Sequence, residues 1–108
     1  MGKNPAFLYY PGDWSRDTAT LSLSTKGAWA DIIGALHWAQ NRGTLTKSLV
    51  GWARLIRATV EQTGVVINEF EAEKVADVKR EPNGDITIAC RRMVREETER
   101  RQNVERQR

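Results

Sequence analysis

The chain has 108 residues, 17 Lys and Arg against 14 Asp and Glu, a net charge of +3, and 40% hydrophobic residues. That length suits one domain with a core of its own, and no apolar run is long enough to cross a bilayer. One Cys and one His rule out an internal disulfide and a Cys/His zinc set within a single chain.

The charge is unevenly placed. Residues 1–90 carry ten Lys and Arg and ten Asp and Glu, whereas residues 91–108 carry seven Arg and four Glu. The basic character therefore belongs to the tail and not to the body. The opening MGKNPAFLYYPG lacks the apolar stretch of a signal peptide.

In chain order, FLYY (7–10) reads as an extended segment that ends at a Pro11-Gly12 turn, and DWSRDTATLSLS as a loop returning Trp14 and Leu21 to the core. Ser24 is the expected cap of a first helix, with Trp29, Ile32, Ile33 and Leu36 as its apolar stripe and Gly43 as its stop. Gly27 and Gly34 share one face of that helix, a spacing that lets another backbone come close. TLT (44–46) fits one rung of strand. Thr46 is expected to cap a second helix with the stripe Leu49, Trp52, Ala53 and Ile56.

After the short connection RAT, Thr59 and Gln62 match a capping box and begin a third helix. Its buried side is expected to hold Val60, Ile67 and Phe70, with Glu61, Val65, Asn68 and Glu69 pointing away. VADVK and DITIACR flank REPNG, in which Asn83-Gly84 suits a hairpin turn. Residues 92–108 read as an exposed helix with Glu96–Arg100 and Glu97–Arg101 as ion pairs, and few apolar residues anchor it after Val94. The four Trp residues, 14, 29, 38 and 52, are expected to supply much of the core.

This order predicts an α+β fold of the winged helix-turn-helix kind: a three-helix core, a C-terminal β-hairpin wing and an extra C-terminal helix. The expected division is a winged-helix domain over residues 1–90 and a basic helix or tail over 91–108.

The aromatic-Pro run Tyr10-Pro11, the pairs Asp13-Trp14, Asp17-Thr18 and Leu21-Ser22, the triplet Gly27-Ala28-Trp29 and Gly43-Thr44-Leu45 stand in a fixed succession. In this the chain resembles a YdaU-like family of phages and prophages, and WARLIRAT looks like that family's second-helix segment. The resemblance covers nearly the whole chain as a pattern and is most specific in the first half. It implies a winged-helix-like domain placed near phage replication genes, in the cytoplasm of a bacterial host, and it brings no established activity.

Catalysis has little support in the sequence, and the expectation is a protein that is not an enzyme and needs no cofactor. His37 stands beside Trp38 on a helix and reads as structural; Cys90 reads as a small buried hydrophobe. Asp13 and Asp17 flank Trp14 and read as capping groups. For duplex DNA, the phosphate-contacting candidates are Arg54, Arg57, Lys79, Arg80, Arg91, Arg92 and Arg95, with Gln62 and Asn68 offered to base edges. Against this, the third helix is acidic, with Glu61, Glu69, Glu71 and Glu73. The alternative is therefore an adaptor, or a small phage inhibitor, whose protein partner meets Glu61, Gln62, Val65, Asn68 and Glu69. Dimerisation through the first helix or the tail is open in either case.

Overall fold

A computed structural model gives the fold and describes residues 11–107, without the side chains of Pro11 and Asp13. The FLYY segment lies outside the described residues. Within them the order is α1 (Pro11–Asp17), α2 (Leu23–Trp38), β1 (Thr44–Lys47), α3 (Leu49–Ile56), α4 (Val60–Ala72), β2 (Asp77–Arg80), β3 (Ile86–Ala89) and α5 (Arg91–Arg106). The class is α+β: five helices and one three-stranded antiparallel sheet among the described residues.

The three expected core helices are α2, α3 and α4. The stretch expected as a turn and loop instead contains α1. A proline in the first turn of a helix forfeits no hydrogen bond, and the Thr18 hydroxyl donates to the Trp14 carbonyl at 2.7 Å to close the C-terminal end. A helix this short has little stability of its own. Packing of Trp14 against the core holds it, a long-range contact with no local sign in the sequence.

Two caps also move. The cap of α2 is Ser22, whose Oγ accepts from the Thr25 N–H, and not Ser24. The cap of α3 is Ser48, which accepts from Gly51 N–H at 3.0 Å, and not Thr46. Thr46 belongs to β1, where its hydroxyl meets that of Thr87 at 2.7 Å. The capping box at Thr59 and Gln62 forms as expected, with both bonds at 3.0 Å. Between α3 and α4, Arg57 takes a left-handed conformation, φ 58°. Its N–H and that of Ala58 both return to the Ala53 carbonyl, which makes the connection tight.

The sheet has the order β1-β3-β2, so the TLT segment pairs with the hairpin. Leu45, Ile88 and Val78 lie in one cross-strand row. Ile88 is fully buried and the other two pack against the core. Trp52, Phe70, Ile32, Leu36 and Ile67 complete that core from the helical side. Trp29 packs on Phe70 with ring centroids 5.2 Å apart. Two expected core residues are outside it. Val60 is exposed at the first position of α4, and Trp38 is 57% exposed at the end of α2, its ring edge-on to the buried His37. A side chain in a terminal turn lacks a neighbouring turn to cover it, which is why the stripe fails at both places.

The start of α5 packs into the same unit. Met93 is buried, and Gly43 (φ 99°) sits so close beneath it that an added Cβ would meet Val94 N at 2.9 Å. The Cys90 N–H donates to the Gly43 carbonyl at 2.9 Å. Gly43→Ala thus suffers both an unfavourable φ and a clash with backbone, and should cost about 2 kcal/mol or more in urea unfolding. Trp52 donates from Nε1 to the Ile86 carbonyl at 2.9 Å inside the core. Trp52→Phe deletes the donor and leaves that carbonyl buried and unsatisfied, with an expected loss of about 1–3 kcal/mol by the same measurement.

Candidate nucleic-acid interface

Each cation expected at a DNA surface is placed by its element. Successive side chains of a strand point to opposite faces. Lys79 and Arg80 were expected to act together, but they diverge. Lys79 stays 77% exposed on the side chain and lies 3.9 Å from Glu81. Arg80 turns to α4, where it donates from Nη1 to Glu71 at 3.0 Å and from Nη2 to Asn68 Oδ1 at 2.8 Å. The hairpin is therefore tied to α4 by a forked guanidinium.

The remaining cations fall elsewhere. Arg54 and Arg57 are exposed at the end of α3, and no described residue pairs with either. Arg91 donates to Asp77 at 2.7 Å and to the Lys74 carbonyl at 2.5 Å. Arg92 reaches Asp17 on α1 at 3.3 Å. Arg91, Arg92 and Arg95 line a cleft of about 710 Å³ whose lining also includes Trp14, Trp29 and Ile33. The half-buried Cys90 also lines it and was expected to be buried.

Two of the four acids expected on the exposed side of α4, Glu69 and Glu71, are taken up in internal bonds. Glu69 was expected to point toward a partner. Its carboxylate instead takes the Ser22 N–H at 2.6 Å and the Thr25 hydroxyl at 2.8 Å, with Ser22 Oγ 3.1 Å away. It thereby caps α2 from a different helix. The Ser22 N–H, first, and then the Thr25 and Ser22 hydroxyls hold the Glu69 carboxyl below its ordinary value of 4.5, against an opposing effect of burial. Glu71 is paired with Arg80, and Asn68 gives its oxygen to the same arginine. Gln62 gives its oxygen to the Thr59 N–H. Of the expected partner residues, Glu61 and Val65 remain exposed with no described bond.

On α5, Glu97 is the hub. It meets Arg100 at 2.8 Å, Arg101 at 3.4 Å and Arg42 at 3.9 Å, with its side chain 11% exposed. Arg100 pairs with Glu97 at i−3, not with Glu96 as expected. The hydrogen bond from Arg100, and then the charges of Arg100, Arg42 and Arg101, hold the Glu97 carboxyl below its ordinary value. Arg42 also donates to the His37 carbonyl at 3.2 Å, so the end of α2 and the middle of α5 share one cation.

Among the described residues, no cluster of His, Cys, Asp and Glu is placed to hold a metal ion, and no helix is long and apolar enough to cross a membrane. Compared with protein-family models, with characterised proteins and with solved structures, the chain matches none.

A carboxyl lowered in the folded state adds stability above its ordinary range and loses it as pH falls through the lowered value. Glu69→Gln is expected to cost about 1 kcal/mol near neutral pH, a figure reduced for solvent exposure. Urea unfolding should show the gap between variant and parent closing as pH falls below the ordinary carboxylate range.

Proposed function

We propose that the chain is a winged-helix DNA-binding protein in which α3 and α4 form the helix-turn-helix and β2–β3 the wing. The resemblance to YdaU-like phage and prophage sequences supports a context of replication or a related DNA transaction. The observation that carries the reading is the Arg80 fork. It fixes the hairpin against α4 and neutralises Glu71, while Glu69 is consumed in capping α2. Of the four acids that argued against α4 as a reading helix, Glu71 is paired and Glu69 is turned to α2, which leaves Glu61 and Glu73 exposed.

Gln62 and Asn68 each commit their amide oxygen and retain an NH2. Those donors suit the purine N7 and O6 acceptors of the major groove. Arg54 and Arg57 at the turn and Lys79 on the outer face of β2 are the cations for flanking phosphates. The Arg80–Glu71 pair is about half exposed on each side, and exposed pairs exchange partners at little cost.

A second reading, a protein–protein adaptor, rests on Val65, which is 64% exposed at the rim of a groove of about 600 Å³ between α2 and α4. With Asn68 and Glu69 engaged, its surface reduces to Glu61, Gln62 and Val65.

A mobility-shift titration on duplex DNA at low salt separates the two. Binding is expected, and the Arg54→Ala/Arg57→Ala double variant should weaken it and lower the salt dependence by about two phosphate contacts. Glu71→Gln, which removes an acid from α4 and keeps an oxygen for Arg80, should tighten it. Absence of any retained DNA at low salt rejects the DNA reading. Capture of a host protein that is lost in Glu61→Ala/Val65→Ala would then favour the adaptor.

A further inference from the structure

One strip of α4 stays open to solvent. Thr63, Val66, Ile67 and Phe70 are buried on its inner side. Glu71 turns to the hairpin and Glu69 to α2, so these two acids mark the edges of the strip. Between them lie Glu61, Val65 and Asn68, all exposed, with Gln62 at the margin toward α2. At about 100° per residue these four span roughly 120° of arc.

The two amides of the strip are each held by a group that can only donate. Arg80 Nη2 lies 2.8 Å from Asn68, and the Thr59 N–H lies 3.0 Å from Gln62. A guanidinium and a backbone N–H carry no acceptor, so the atom each one meets is the amide oxygen. The C–O and C–N bonds of an amide diverge. With the oxygen turned to the hairpin in Asn68, and to the helix start in Gln62, each NH2 is turned away from that partner. Neither amide nitrogen has a bond among the described residues.

We infer that α4 reads guanine in preference to adenine, with Arg80 as the positioning residue that sets this choice. The inference rests on the DNA reading given above. An Asn or Gln selects adenine by using both halves of its amide, the oxygen on N6–H2 and the nitrogen on N7. An amide that has given up its oxygen loses the first contact and sets NH2 against NH2. Guanine presents N7 and O6, two acceptors side by side, and suits a group that offers donors alone. Glu61 is the acceptor of the strip, and cytosine N4–H2 is the donor that fits it. Both polarities of the strip therefore favour G·C pairs. Arg80 touches no base in this scheme. It acts through Asn68, and its second bond, to Glu71 at 3.0 Å, keeps it there.

A randomised duplex library, bound to the full chain at low salt and sequenced, tests this. The retained pool should favour guanine over adenine by roughly 5- to 150-fold at one or more positions, the discrimination of a good base contact. Arg80→Ala frees the Asn68 amide to turn, so adenine should enter at one of those positions while DNA is still retained. Asn68→Asp puts two acceptors in the same place and keeps a partner for Arg80, so that position should move from guanine toward cytosine. Both side chains are exposed, and circular dichroism of both variants should match the parent. Retained DNA without guanine enrichment, or enriched equally in adenine, overturns the inference and leaves the DNA reading standing. So does an Arg80→Ala pool identical to the parent's, or an Asn68→Asp pool that keeps guanine. No retained DNA for the parent overturns both.

Discussion

The indole of Trp52 stands where the helices meet the sheet. Its ring is fully buried, and its one donor reaches the carbonyl of Ile86 on the central strand. A Trp buried so deeply is stable only if the N–H finds a partner. That requirement sets the position of α3 against β3, and through the pairing of β3 with both neighbours it sets the whole sheet. α4 follows, since it packs on α3 through a turn whose N–H groups both return to Ala53. The geometry of the α3–α4 turn and of the hairpin thus descends from one hydrogen bond in the core.

Charge follows from that geometry. Once the hairpin lies against α4, the odd-numbered side chain Lys79 faces water and its neighbour Arg80 faces the helix. Arg80 then meets Glu71 and Asn68, and Glu69, two positions before Glu71 on α4, is near enough to α2 to cap it. The balance of ten cations and ten acids in the body is therefore partly local pairing and not a uniform mixture. Such exposed pairs contribute little to stability. Their larger effect is to decide which charges face outward unopposed, and here those include Arg54 and Arg57 at the turn.

Those parts of the fold whose determinants are close in sequence were legible in advance. The box at Thr59 and Gln62 and the alternation of Ile86 and Ile88 each lie within a few residues, and each is present. The hairpin turn is present too, but its bond runs from the Gly84 N–H to the Glu81 carbonyl, so Pro82 and Asn83 are its centre and only Gly84 takes a positive φ. Trp29 and Trp52 are buried as their stripes require. What was not legible depends on partners far along the chain. The Ser22 cap is reinforced by Glu69, 47 residues away, and α1 packs through Trp14 on the core. The candidate site was read less well than the fold. Charged residues were grouped by nearness in sequence, although alternation along β2 separates Lys79 from Arg80. Asn68 was offered to base edges or to a protein partner and Arg80 to phosphates, yet the two are bonded to each other. The alternation that correctly placed Ile86 and Ile88 applies equally to β2, so this error had a remedy within the sequence.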